Sequence, residues 1–501
     1  MSIITPSLLL DHMRCVHKVW RDNYGPKSEF VDEDNPFLKL LWDRGIQHEA
    51  NVVQAFGFEY IDCGRGSEAE RIAQTNQALA SRVEYIYQGV LAHGNLFGIP
   101  DLLQFLDGEY VAVEIKSGSA GEGGDDAGND GKPKKEYGVQ LALYSDLLNR
   151  KGFNTSRRAF VIDKTGDRVE YFLDAPMGKR TPETMWELYE RVKTDVNAAL
   201  RNELISDPAM CGSCKDCGWY ASCKKWVQEN DDLTQLFYVG RTVRDTIKRD
   251  LDAGSIDDLL VYNIDSALEQ KRADKMFLKG VGESTLTKMI ARARLMKSRG
   301  EPVFYSKFDF PEVSTELFFD IETDPTQDFV YLHGFWVRDA AGERFQHFTA
   351  TEISPENERD FWKRSIDLML SFPADDVAIY YYSAYERTTY RQLQRRYPDV
   401  IGEADLEALF ARPNMIDLYS DFILKETDWP LGSYGIKAIA QYLKFKWRDK
   451  TPSGALSIKW YNDYLTNRDE ALLNRVLMYN EDDCKATYVV KDYLKARIDA
   501  M

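Results

Sequence analysis

At 501 residues the chain is too long for one ordinary core, so two or three domains are expected. Hydrophobic residues make up 44% and charged residues 29%, and no apolar run approaches the roughly 20 residues of a membrane span, which excludes a fibrous or membrane-embedded class. The net charge of −17 argues at first sight against a phosphate-bearing partner, although local clusters rather than the sum decide docking.

The N-terminus, MSIITPSLLLDHMRC, lacks the basic region, apolar stretch and cleavage site of a signal peptide. A cytoplasmic protein with no membrane partner is expected. Further on, GNLFGIPDLLQFLDGEYVAVEIKSG predicts a β-hairpin. One strand ends near Ile99-Pro100-Asp101, a turn follows at Asp107-Gly108, and VAVEIK forms the second strand. Period-two alternation puts Glu114 and Lys116 on one face, with Val113 and Ile115 on the other. The hairpin can bring Asp101 beside Glu114, giving two oxygen ligands for Mg²⁺ or Mn²⁺. Lys116 against the same ion can hold the attacking water or the scissile phosphate, and metal-assisted phosphodiester hydrolysis needs those parts. A surface charge cluster is the plain alternative for so short a pattern.

The P-D…E-x-K string resembles the signature of PD-(D/E)XK nucleases, and its surroundings resemble the RecB-like branch. That resemblance implies a metal-binding role for His48, in RGIQHE, and places Gln140 and Tyr144, in QLALY, near the active site and substrate. On a helix Gln140 and Tyr144 share a face. The opening TPSLLLDHMRCVHKVW is similar to the first helix of these nucleases, and SGSAGEGGDDAGNDGKPKKE (117–136) reads as an inserted loop.

Four of the seven cysteines fall between Cys211 and Cys223, a metal-site spacing in a reducing compartment. Cys214, Cys217 and Cys223, together with the distant Cys15, resemble the [4Fe–4S] pattern of AddB-type and CRISPR-associated RecB-like nucleases. The resemblance implies a structural cluster that clamps the two ends of the domain, without electron transfer. Cys211 is an extra candidate, which leaves open a local zinc or iron–sulfur site. Cys63 and Cys484 read as packing thiols.

Residues 229–305 read as short helices broken by glycines. FLKGVGESTLTKMIARARLM has the glycine pair of a helix-hairpin-helix: Gly280 and Gly282 allow a tight turn, and the next helix start can meet a phosphate. Nine basic residues lie between Lys271 and Arg299 against Asp274 and Glu283, and Lys288 and Arg292 on the second helix are the candidate nucleic-acid contacts. A helical linker with a solvated basic face is the alternative.

The last region opens with ELFFDIET, where Asp320 and Glu322 share one side of a strand. It closes with EALLNRVLMYNEDDCKATYVVKDYL, where Tyr479 and Asp483 share one helix face. These resemble the first and last motifs of DEDD-type exonucleases with a ribonuclease H-like fold, specifically the YprB-type group. In that family acidic residues bind two divalent ions and the tyrosine orients the attacking water. Glu386, in SAYERTTY, stands where the family places an aspartate; LGSYGIKAIAQYLKFKW resembles the segment before the last motif, and Asp417 precedes it. A retained fold acting only as a docking module is the alternative here.

The expectation is an α/β multidomain chain similar to a bacterial family of RecB-like nucleases. A restriction-endonuclease-like nuclease domain with a helical iron–sulfur lid spans 1–228, a helix-hairpin-helix linker domain spans 229–305, and a ribonuclease H-like DEDD domain spans 306–501. It would hydrolyse DNA, single-stranded or end-bearing, at two metal sites: His48, Asp101, Glu114 and Lys116 in the first, and Asp320, Glu322, Glu386, Tyr479 and Asp483 in the second. The sequence contains no G-x4-G-K-[ST] loop, so strand unwinding would need a helicase partner. The rival readings are a DNA-binding scaffold for such a helicase and a C-terminal site acting on RNA.

Overall fold

The computed structural model describes residues 2–31, 36–122, 132–178 and 181–501; the middle of the predicted insert, 123–131, lies outside them. The chain divides into two compact units, one of 1–208 with 213–222 and one of 209–212 with 223–501. Among the described residues no helix is long and apolar enough to cross a membrane.

The first unit is built on a six-stranded sheet in the order Ile61–Asp62, Tyr85–Tyr87, Leu102–Leu106, Glu109–Ile115, Arg158–Ile162, Arg168–Phe172. The predicted hairpin is present, in register from Leu102↔Val113 to Leu106↔Glu109. Its turn residues Asp107 (φ 55°) and Gly108 (φ 91°) are both left-handed, as a two-residue turn between twisted strands requires. The start of the hairpin corrects the sequence reading. Residues before Asp101 form a separate small hairpin, Leu91–His93 with Leu96–Gly98. Pro100, which has no N–H to give a ladder, separates the two, so Asp101 precedes a new strand instead of closing an old one.

Alternation along Glu109–Ile115 feeds two cores. Val111, Val113 and Ile115 pack with Leu102, Phe160 and Ile162 beneath Val52 and Val53 of the helix Pro36–Phe56. Tyr110 and Ala112 face the opposite way, into a larger core with Val139, Leu143 and Leu147 of the helix Lys135–Arg150 and Val192 and Val196 of Met185–Leu200. Each fully buried aliphatic side chain contributes about 1.5–3 kcal/mol, so a shift of register by one residue would forfeit both cores. That cost fixes which face carries Glu114.

In the second unit the helices Arg241–Leu251, Ile256–Val261, Ile264–Ala273 and Glu283–Ser298 share a core of Ile247, Leu251, Leu259, Phe277, Leu286 and Ile290. A five-stranded sheet follows, in the order Gly342–Thr349, Phe329–Asp339, Thr315–Asp324, Val377–Tyr381, Met415–Asp417. The central strand pairs antiparallel with Phe329–Asp339 and parallel with Val377–Tyr381. Leu317, Phe319 and Ile321 enter a core with Trp362, Ile366 and Tyr390. The other face lies under the long helix Glu470–Asp499, capped by the Asp469 side chain, with the Phe318 and Tyr488 rings 5.7 Å apart. Phe318, Asp320 and Glu322 therefore point toward that helix.

Candidate active sites

In the first unit Asp101, just before its strand, accepts a 2.7 Å hydrogen bond from the Ile115 N–H through Oδ2. Burial, then the adjacent Glu114 carboxylate, hold Asp101 well above the usual carboxylate range. Glu114 is 2% exposed; its Oε2 accepts from Lys116 Nζ at 2.5 Å, and its Oε1 is buried with no hydrogen-bond partner among the described residues. Burial acts to lower the Lys116 ammonium, but Glu114 and Asp101 outweigh it and the net shift is upward. Two buried carboxylates facing one ammonium, with an oxygen left over, fit a divalent cation well.

Gln140 Nε2 donates to Tyr144 Oη at 3.0 Å, and Tyr144 donates to the Ile99 carbonyl at 3.3 Å. Gly98 makes room for that ring, since a Cβ there would lie 2.6 Å from Tyr144 Cε1. The predicted pair thus braces the chain just ahead of Asp101. His48 is less directly placed: its Nε2 lies 3.2 Å from the Asp163 carbonyl oxygen. Its neighbour Glu49, which sequence reasoning passed over, accepts from Tyr87 Oη at 3.0 Å and Gln88 Nε2 at 2.5 Å, and its charge acts on Asp101. Adjacency to His48 was the only signal for it.

In the second unit Asp320, Glu322 and Asp483 have carboxylate oxygens within 4.8 Å of one another. Asp320 faces Gly334 across the ladder, and its Oδ2 accepts from Asn480 Nδ2 at 2.6 Å. Asp483 Oδ1 accepts from Trp447 Nε1 at 2.6 Å. Tyr331 Oη donates to Glu322 Oε2 at 3.3 Å. Lys437 Nζ donates to Tyr479 Oη and to the Pro452 carbonyl, each at 2.9 Å. Asn480, Trp447 and Lys437 were not assigned from sequence, though Asn480 sits inside the last motif and Lys437 inside the segment preceding it.

Glu386 does not join the group of three. It is 4% exposed, with Ser383 Oγ 3.5 Å from its Oε2. Ser383 adopts φ 138° while capping the helix Ala384–Arg396, a strained conformation for a residue with a Cβ. Asp417 accepts from the Ser420 N–H at 2.9 Å.

Burial and then the Asp483 charge push Glu322 up to about 8; burial and then Asp417's charge lift Glu386 to about 8. Asp320 lies well above its ordinary range through burial and then Asp483 and Glu322, and burial raises Asp483. Tyr479 is driven upward by burial and then by these carboxylates, so it remains a phenol. The folded carboxyls hold protons more tightly than the unfolded chain. Their contribution is full below the unfolded values near 4 and is lost as pH rises through about 8. A divalent ion needs the ionised forms and displaces those protons. The metal-free thermal midpoint should therefore fall between about pH 5 and about pH 8, and Mn²⁺ should restore it at the higher pH by roughly 3 °C or more. Calorimetry of wild type and Asp320→Asn checks this; an equal Mn²⁺ response at both pH values would refute it.

In the middle segment Arg292 departs from its predicted role. Gly280 is left-handed (φ 85°) and Gly282 caps the helix Glu283–Ser298, as the turn requires. Arg292, however, is 7% exposed. Its Nε donates to Asp428 at 2.7 Å and its Nη1 to the Phe237 carbonyl at 3.1 Å. A buried guanidinium held this way is a packing element of the unit and not a phosphate contact. Arg272 pairs with Glu283, and Lys297 with Asp231 and Asp257. Lys288 is half-buried, while Lys275, Lys279, Arg294 and Arg299 are exposed.

In each unit a mixed sheet under helices brings carboxylates together, and in the second three of them lie close enough to share a divalent cation. Residues 14–224 match the family model of the PD-(D/E)XK nuclease superfamily, and residues 317–495 match that of the RNase_H superfamily. The chain joins a domain of each, which indicates nuclease activity and nucleic-acid binding. No curated protein matches it.

Proposed function

We propose that the protein hydrolyses phosphodiester bonds of DNA, single-stranded or bearing free ends, at two separate sites. The observation that carries this reading is the buried Asp320–Glu322–Asp483 group, repeated in kind by Asp101 and Glu114 in the other domain. His48, Asp101 and Glu114 would hold one divalent cation, and Asp320, Glu322 and Asp483 the other. Bound Mg²⁺ or Mn²⁺ would neutralise the phosphate and acidify the attacking water. Lys116, at rest on Glu114, would turn to a phosphate oxygen as the bond breaks. Gln140 and Tyr144 would keep the Asp101 segment in place. The Tyr479 oxygen accepts from Lys437 and its hydroxyl donates to Asp483, which would set it beside the attacking water at that carboxylate.

A second reading, a scaffold whose C-terminal site is idle, is favoured by Glu386 standing apart from the group of three. Release of nucleotides from end-labelled single strands of DNA and RNA, with and without Mg²⁺, tests the proposal and separates a deoxyribonuclease from a ribonuclease at the C-terminal site. No metal-dependent release from either strand would overturn it. A helicase partner would supply single strands from duplex.

The middle segment is proposed as a helix-hairpin-helix using Gly280, Gly282 and Lys288, without Arg292. Cys15, Cys214, Cys217 and Cys223 are proposed as ligands of a structural [4Fe–4S] cluster. In favour of a shared site, Cys217 lies close enough to Cys15 to feel its charge. Brown absorbance should be lost in Cys15→Ala and kept in Cys211→Ala; the reverse pattern would favour the local site.

A further inference from the structure

On the face of the first sheet against which Val52 and Val53 of the helix Pro36–Phe56 pack, Tyr87 belongs to a row of aromatic rings. Phe58 stacks on Tyr85, centroids 4.1 Å apart and planes within 6°. Tyr60 meets Tyr87 edge to face at 5.6 Å. Tyr85 and Tyr87 are two apart on one strand and share its face, while Ile86 between them is fully buried on the other. Phe58 and Tyr60 remain 36% and 42% exposed. The row adjoins the Asp101 end of the candidate site, because Tyr87 pairs with Leu102 and the next N–H, that of Gln88, donates to the Asp101 carbonyl at 3.0 Å.

Its other flank is cationic. Tyr85 Oη accepts from Gln104 Nε2 at 2.9 Å, and Gln104 Oε1 accepts from Arg168 at 2.6 Å. Arg168 is exposed and forms no ion pair among the described residues; its guanidinium lies 3.8 Å over the Phe160 ring. Half-exposed rings beside an uncompensated guanidinium, continuous with buried carboxylates, suit a strand whose bases are unpaired and whose backbone is anionic. A duplex keeps its base faces stacked inside and gains nothing from the rings.

We propose that Phe58, Tyr60, Tyr85 and Tyr87 form a stacking track for the bases of single-stranded nucleic acid, with Arg168 on its phosphates, leading the strand to Asp101 and Glu114. This rests on the reading of those carboxylates as a phosphodiester site. Stacking of this kind tolerates any base, so the track selects strandedness and not sequence.

The test uses the full chain without divalent metal and a fluorescein-labelled oligothymidylate, with a blunt duplex of equal length alongside. Tyr60→Ala and Phe58→Ala should each weaken single-strand binding by about tenfold and leave duplex binding unchanged. Tyr60→Trp should bind as wild type, and Arg168→Gln should lower the salt dependence. A 5-iodouracil strand should crosslink to the 58–60 peptide. Alanine variants of unchanged thermal midpoint that bind the single strand like wild type, or a crosslink absent from that peptide, would overturn the track and favour a protein-facing patch. Cleavage surviving in Asp101→Ala made in an Asp320→Ala background, while Tyr60→Ala still loses strand binding, would sink the catalytic assignment and leave the track standing.

Discussion

Asp101→Ala should lower Mg²⁺-dependent cleavage by the N-terminal domain more than about a hundredfold. Losing a partner that merely orients a metal ligand costs about 10–100-fold, and loss of a ligand itself costs more. Among the described residues Asp101 and Glu114 are the carboxylates that converge with Lys116, and with Asp101 removed Glu114 and Lys116 are left as a neutral pair with little attraction for a cation. The fold should survive. Asp101 also accepts from the Ile115 amide, so the substitution strands one donor at a cost of about 1–3 kcal/mol, partly offset by relief of repulsion from Glu114. Glu114→Gln keeps the shape and removes only charge, and should fail similarly. Both are measured in an Asp320→Ala background, so that the C-terminal domain does not obscure the loss. A wild-type rate from Asp101→Ala in that background would show that the N-terminal site is misassigned.

What the sequence could reveal was whatever depends on short spacing. Two residues apart on a strand sufficed to place Asp320 with Glu322, and one helical turn placed Tyr479 with Asp483 and Gln140 with Tyr144. Hairpin chemistry at Asp107-Gly108 was legible for the same reason. Partners contributed by distant segments were not. Lys437, Trp447 and Asn480 reach Tyr479, Asp483 and Asp320 from two stretches of chain over a hundred residues beyond Asp320; the stretches were recognisable in the sequence, but not which of their residues would meet the site. Arg292 shows the limit of counting charge, because a run of basic residues on a helix does not reveal which one turns inward to meet Asp428. Pro100 was visible, but its effect in starting a new strand after Asp101 depends on the small hairpin before it. Glu386 illustrates a further limit: the motif located it on its helix, but not that it would stay outside the group of Asp320, Glu322 and Asp483.

Gly334→Ala should disable the C-terminal site without touching a carboxylate. Gly334 faces Asp320 across the ladder, and the helix Glu470–Asp499 passes so close there that a Cβ would lie 1.7 Å from Asn480 Oδ1 and 2.8 Å from its Cγ. Asn480 is fully buried and cannot swing into solvent, and Phe345 Cε2, 3.1 Å from the same position, closes another side. The amide must move, and with it the 2.6 Å hydrogen bond that orients Asp320. Overpacking of this kind costs about 1–3 kcal/mol, and an unsatisfied buried amide adds a similar amount. The thermal midpoint should drop by several degrees, and the Mn²⁺-induced stabilisation at about pH 8 should shrink. A double-mutant cycle separates clash from chemistry. Asn480→Ala added to Gly334→Ala removes the obstructing oxygen and should recover much of the stability, yet it should not restore Mn²⁺ binding, because Asp320 still lacks its donor. If Gly334→Ala matches wild type in midpoint and Mn²⁺ response, the close approach of helix to strand does not govern the site. If the double variant is less stable than the two single losses combined, Asn480 is held by something other than the room that glycine leaves.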